Sequence, residues 1–453
     1  MSKYDIEDQL DSSESESEAP GSDSEESGSE SEPEYGFALS RSQRHFFREH
    51  NVIFKKYRYG DNEEFPKLIY SRTIQKCLKT KTLPDAKYQT YRYDDELDPH
   101  LPDISLFRFF KYVNLACSRV SDVRVLRHVH TLWLHKCSLI TDISWLGNVK
   151  SLGIGYCPNI RDFSVLRSIP DVTMMGHYKT AIDYSLFTNT HKLRLSDVTI
   201  TDSDLVHLRR VHSLQLDDCK LLTTLSMLKD CEIQDLYLDR LKISDVSMLG
   251  HIPKLKIRAC YKVVDVRALK NVKDLSFISC HGFTDVSMLG GVEHLSLFGS
   301  NVGDVSVLAN VRSLDLSFCH WVMDVSALGK LHTLKMLDCI QITDFSALGL
   351  LYELDLTQCN IAHDQLKFLG NIHTLILSNT NVTDVSELAR VHTLDLSHCR
   401  QLTNIDTLKN VYSLNLNYTN IEDVSMLTGV KELYIKLDDP IAFWGLKNIT
   451  IHN

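Results

Sequence analysis

Twelve cysteines and twenty histidines, beside a dense recurrence of Asp and Ser, are the residues of this 453-residue chain whose types could do chemistry. Cysteine and histidine could hold zinc, which needs ligands that converge tetrahedrally and are usually paired at close spacing. No C-x-x-C occurs. Nine cysteines (Cys137, Cys157, Cys219, Cys260, Cys280, Cys319, Cys339, Cys359 and Cys399) instead each follow an apolar residue by three positions and recur at intervals near 20 residues or its multiples. Such a ladder does not converge on one ion, so no metal is expected. With no apolar leader at Met1-Ser2-Lys3-Tyr4-Asp5, the cysteines read as structural free thiols in a reducing compartment, cytoplasmic or nuclear. Six histidines share a second column: His130, His191, His212, His332, His373 and His392. Neighbours such as His373 and His392 could stack, bind metal or sense pH. The same column also holds Lys150, Arg312, Tyr352 and Tyr412, so a solvated rim is the reading adopted. Catalytic signatures are missing: there is no G-x-x-x-x-G-K-[ST], H-E-x-x-H or G-x-S-x-G. Neither an enzyme nor a cofactor is expected.

One period dictates the elements that carry these residues. From Asp103 to the end, a unit of 19–21 residues repeats: Asp, an apolar residue, often Ser, then apolar side chains at +4, +7, +10 and +12. Asp285 shows it with Val286, Ser287, Leu289, Val292, Leu295 and Leu297. Eighteen copies run from Asp103 to Asp439, and only Thr224, Gln365 and Asn404 replace the Asp. Two apolar residues separated by one, as in Leu295-Ser-Leu297, mark a short strand with one buried face. One strand per unit, returning to the same place each time, must stack in parallel on its neighbour. A single unit cannot bury its own apolar face, so the core belongs to the stack. So short a unit leaves room only for a 3₁₀ or extended return segment, which the Asp-x-Ser pattern can cap. Small residues fill the cysteine slot, as a tight bend after the strand requires.

The N-terminal part is different. Residues 1–35 carry 13 acidic side chains against one lysine, while the other 418 residues hold 48 basic and 46 acidic groups. That acidic tail, Asp11-Ser-Ser-Glu-Ser-Glu-Ser-Glu18 and its continuation, is expected to be disordered. Ser13, Ser15, Ser27, Ser29 and Ser31 each have Glu three residues on, a pattern suited to acidophilic kinases. Residues 36–102 are basic and aromatic, as in Arg44-His-Phe-Phe-Arg48. They read as a partly helical cap or small module with a helix near Ser71–Lys79. No apolar run reaches the roughly 20 residues of a membrane span.

Two stretches carry a family resemblance. Val391-His-Thr-Leu-Asp-Leu-Ser-His-Cys399 with Leu402-Thr403 resembles cysteine-containing leucine-rich repeats, and Ile342-Thr-Asp-Phe-Ser-Ala-Leu348 resembles the short units of internalin-type repeats. The array is similar to tandem repeats of giant DNA viruses and protists. The resemblance spans 103–453 and implies an α/β-type, mostly β solenoid, a leucine-rich-repeat horseshoe. Cysteine-containing repeats often follow an F-box, which would imply a ubiquitin-ligase adaptor as partner. Residues 36–100 hold no Leu-Pro followed by an apolar helical run, since Leu101-Pro102 leads into the first repeat.

In solenoids a partner usually sits on the strand face turned away from the core, here offsets +9, +11 and +13. Those columns contain Trp133, His135, Arg194, Tyr237, Lys254, Lys256, Arg258 and Tyr434. Asp235, Tyr237 and Asp239 should lie beside Lys254, Lys256 and Arg258 and neutralise them across the strands. A protein-binding scaffold is the leading expectation. The alternatives are a ubiquitin-ligase substrate receptor and capture of basic proteins such as histones by the acidic tail. Nucleic acid is disfavoured, because the body has no basic excess.

Overall fold

A computed structural model describes residues 111–116 and 119–436, together with short strands at Arg58–Tyr59, Glu63–Glu64, Thr90–Asp94 and Thr450–His452. The acidic tail 1–35 and the expected helix near 71–79 lie outside the described residues, as does most of 36–102.

Every repeat delivers the expected strand, and each strand pairs in parallel with the next. Thr131–His135 pairs with Ser151–Gly155, and Asp235–Asp239 with Lys254–Arg258. The sheet is open: its first strand has Tyr112–Ala116 as its described partner and its last has Glu432–Tyr434. Both ends depart from the repeat pattern. Thr90–Asp94 joins the sheet ahead of the first copy at Asp103. At the other end Ile451 faces Leu433, whereas the spacing put Ile449 there.

Register stacks leucine on leucine. Leu236 faces Leu255, which faces Leu275, and each is fully buried. Alternation follows from the pleat: in Thr131–His135 the leucines Leu132 and Leu134 point inward, while Thr131, Trp133 and His135 remain half-buried on the other face. The result is one continuous apolar core from Val113 to Ile435. Short 3₁₀ turns such as Ser247–Leu249 and Ser326–Leu328 return the chain, and no α-helix occurs among the described residues. None of their helices is long and apolar enough to cross a membrane.

The repeated Asp caps that turn. Its Oδ1 accepts the N–H two residues on, at 2.8 Å in Asp142–Ser144, Asp245–Ser247 and Asp324–Ser326. Two of the exceptions keep the bond with other oxygens: Asn404 takes the Asp406 N–H at 2.8 Å and Thr224 the Ser226 N–H at 3.2 Å. Gln365 instead reaches into the preceding repeat, to the Phe345 N–H at 3.0 Å. Asp204 turns back to the Thr201 N–H and hydroxyl, 2.8 and 2.6 Å away.

Hydrogen bonds from the following Ser hold the carboxyls of Asp142, Asp245, Asp285, Asp324, Asp344 and Asp423 below their ordinary 3.8. The Arg267 side chain brings Asp265 to about 2. A lowered folded value means stability that is complete above 3.8 and lost as pH falls through the folded value. The melting temperature is therefore expected to drop steeply on acidification from pH 3.8 to about 2. At neutral pH Asp324→Asn should melt close to the native chain, because an amide oxygen serves at Asn404, and Asp324→Ala should melt lower. Identical melting of the two variants would exclude the cap role.

Candidate concave interface

The bend after each strand decides where the reactive groups go. One residue per repeat takes a left-handed conformation there, among them Lys136, Tyr156, Asp218, Ala259, Phe318 and Tyr418, with φ of 54, 53, 48, 49, 59 and 61°. Its N–H still reaches the next strand, as from Lys136 to the Gly155 carbonyl at 2.8 Å. Side chains with a Cβ rarely adopt this conformation. The column therefore lacks the glycine signal that would have revealed it, apart from Gly176 and Gly299.

The next residue swings into the core, and in nine repeats it is a cysteine. All nine predicted thiols are buried and free, together with Cys231. The nine ladder thiols donate to strand carbonyls, among them Cys319 to Leu297 at 2.9 Å, Cys359 to Met336 at 2.9 Å and Cys399 to Leu377 at 3.0 Å. Thr380 does the same work in its slot, its hydroxyl 2.6 Å from the Leu377 carbonyl. Burial pushes the thiols of Cys219, Cys260, Cys319 and Cys359 up to about 12. At Cys157 the Cys137 side chain, as hydrogen-bond donor, lowers the thiol instead. No group of three metal-ligating side chains occurs among the described residues.

The histidine column is a rim, but an ordered one. His332, Tyr352, His373, His392 and Tyr412 form a continuous stack with centroids 4.8, 4.4, 4.4 and 4.7 Å apart. His191 and His212 stack separately at 4.6 Å. Within the stack, Nδ1 of His332, His373 and His392 each lies 3.2 Å from the hydroxyl of the following Thr. The parallel rings aim their edges the same way, so they do not converge on an ion.

On the concave face the register brings the predicted residues into columns. Trp133, Gly153, Thr173, Arg194, Gln215, Tyr237 and Lys256 follow one another along the middle one. The indole of Trp133 lies over Gly153, where any Cβ would collide with it, and His135 lies over Gly155. The central charges largely satisfy one another: Lys256 sits 4.9 Å above the Tyr237 ring and Arg258 3.4 Å from Asp239. Lys254 reaches Asp274 on the following strand at 3.7 Å, on the opposite side from the expected Asp235. Asp239, expected on the open face, is only 3% exposed, and desolvation raises its carboxyl. It sinks because Arg240 and Arg258 close over it. Further along, Asp315, Asp355 and Asp395 cap their own strands through the Ser317, Thr357 and Ser397 amides at 3.0, 2.9 and 2.8 Å. Tyr434 stacks on His452 of the last strand at 4.3 Å. Arg194 and Asp239 each keep one buried polar atom, Nε and Oδ1, without a hydrogen-bond partner among the described residues.

No family model and no curated protein matches the sequence. Solved structures do match. TLR13 in its complex with ssRNA13 aligns with a TM-score of 0.53 at 18% identity, over 80% of this chain and 64% of that one. An internalin, InlF of Listeria monocytogenes, aligns at 20% identity over 72% of this chain and 87% of that one, TM-score 0.35. The functional domain of InlJ from the same species, which includes a cysteine ladder, aligns at 15% identity over 74% and 70%, TM-score 0.33. This chain is a leucine-rich-repeat solenoid, mostly β, with short 3₁₀ returns.

Two measurements check the site's chemistry. A thiol reagent at pH 8 should leave the ten described cysteines unlabelled until the chain unfolds; labelling of several in the native state would refute the buried ladder. Burial, with the neighbouring His392, lowers His373 below its ordinary 6.5. A lowered histidine contributes stability that is complete above 6.5 and is lost as pH falls through the folded value. The melting temperature should therefore decline as pH drops below 6.5. His373→Tyr, which repeats the Tyr352 and Tyr412 solution, should flatten that decline, and an unchanged slope would remove the stack from the account.

Proposed function

We propose that this chain is a protein-recognition scaffold that takes its partner on the concave face and performs no catalysis. The observation that carries this reading is the division of labour among its polar groups. Capping carboxylates, ladder thiols and stacked imidazoles are bound up in the fold, whereas the concave face carries heterogeneous side chains, among them a flat indole at Trp133 and an unpartnered Arg194. Aromatic residues and Arg are the groups on which binding energy concentrates. TLR13 is seen with ssRNA, but the charge balance of residues 36–453 favours a protein over a polyanion. The ligase-receptor and acidic-tail readings depend on residues 1–102.

Affinity capture from the native source with mass spectrometry separates the three readings. The full chain is compared with versions lacking 2–35 or 36–89, the latter stopping short of the Thr90–Asp94 strand. A third comparison combines Trp133→Ala, Arg194→Gln and Tyr434→Ala. Trp321→Ala, at an exposed site outside the strands, is the control. Partners are expected to survive both deletions and the control and to disappear with the concave triple variant. Ligase components lost with 36–89 would make the chain a substrate receptor. Basic proteins lost with 2–35 would move recognition to the tail.

A further inference from the structure

The concave face divides by charge. Along the strands from Thr131–His135 to Asp274–Ile278, the first and third positions hold three acidic and four basic residues. Along those from Ser313–Asp315 to Glu432–Tyr434, the same positions hold five acidic residues and one basic, Lys335. Ion pairing divides with it. In the first group Lys254 meets Asp274, whereas no charged residue at these positions of the second group enters an ion pair among the described residues.

Hydrogen bonds in the second group set direction without cancelling charge. Besides its own strand's amide, Asp315 accepts the Ser296 hydroxyl at 3.1 Å and Asp395 the Asn415 side-chain amide at 2.9 Å. Asp355 takes the Thr357 amide and hydroxyl. All of these donors are neutral, so each carboxylate is held in place with its charge intact. In register the middle column runs Asp315, Lys335, Asp355, Ile376, Asp395. Carboxylates therefore recur at every second strand, about 10 Å apart, a distance that roughly three residues of extended chain cover. A concave surface lined by one sign of charge concentrates its field in front of it. Like-charge repulsion keeps the chain's own tail, with 13 acidic residues in 35, away from this half.

Resting on the concave-face reading above, we infer that the face from Ser313 to Tyr434 docks a basic segment of the partner protein. Its Lys or Arg side chains are set against Asp315, Asp355 and Asp395, and an apolar side chain rests on Ile376 between the last two. Lys335, the one cation of the column, works against that segment.

The probe is a displayed library of random dodecapeptides panned on the full chain with excess synthetic 1–35 peptide, which removes binders of the acidic tail. Enriched peptides are measured by fluorescence polarisation. They are expected to carry Lys or Arg about three residues apart and to bind more weakly as salt rises from about 50 to 150 mM. The decisive variant combines Asp315→Asn, Asp355→Asn and Asp395→Asn. It removes charge but keeps the caps, because Asn415 in the same column already takes the Asn417 N–H at 3.1 Å with its amide oxygen. Affinity should fall roughly tenfold or more, with the melting curve little changed. Lys335→Ala should act in the opposite direction and tighten binding about twofold or more, a sign that a merely structural role would not give. Should the combined variant melt early, Lys335→Ala decides, and weaker binding there overturns the inference. Enrichment of acidic or uncharged peptides, or of none, also overturns it. Binding that appears only after deletion of 36–89 assigns the face to the chain's own basic segment and overturns it too. Peptides indifferent to the Asn variant but lost with Trp133→Ala or Arg194→Gln overturn it while keeping the scaffold reading. Peptides indifferent to every concave variant sink both.

Discussion

No repeat of this chain can bury its own apolar face, and everything else in the structure follows from that. A strand with two leucines and a short return segment has only its neighbours to exclude water from it. Stability therefore comes from leucine stacked on leucine in register, Leu236 on Leu255 on Leu275. A slip of one residue would turn those leucines outward. Each unit must consequently return to the same place at the same phase, and the residues that enforce the return recur with it.

That requirement consumes most of the chemistry the sequence seems to offer. Asp at the start of each unit is engaged in closing a 3₁₀ turn, and its position in the bond can be taken by Asn404 or Thr224. Cysteine is small enough for the bend and can donate to a strand carbonyl, a role a threonine hydroxyl also fills at Thr380. Histidine and tyrosine share the rim because flat rings one strand spacing apart can lie face to face. These are three repeated solutions to three repeated problems, and none gathers reactive groups at one point. The concave columns are under no such obligation, so their residues vary from strand to strand.

Even there, the fold claims part of the surface. Between Tyr237 and Arg258 the side chains neutralise one another across strands, and Asp239 is drawn out of solvent by two arginines. Toward the C-terminal end, Asp315, Asp355 and Asp395 spend their carboxylates on their own backbone. Around Gly153 and Gly155 the Trp133 and His135 side chains cover the strand, and Arg194 follows two strands on from Gly153.

The sequence by itself determined the parallel stack, the capped turns and the buried thiol ladder. All three are periodic, and a period read from apolar spacing specifies which face each residue takes, so the slots of Cys319 and Asp324 were legible before any coordinate. Tertiary structure decided what the period leaves open. The left-handed residue at each bend was hidden because Ala259, Phe318 and Tyr418 occupy it without glycine. Lys254 turned toward Asp274, since a cross-strand residue has neighbours on both sides and spacing cannot choose between them. The Thr90–Asp94 strand joined the sheet without the pattern that marks the repeats. Finally, Arg194 stood in the same column as Tyr237 and Lys256, and only the packing showed that its Nε is buried without a hydrogen-bond partner among the described residues. Periodicity places a residue on a face, but whether its charge is satisfied there depends on the side chains across the neighbouring strands.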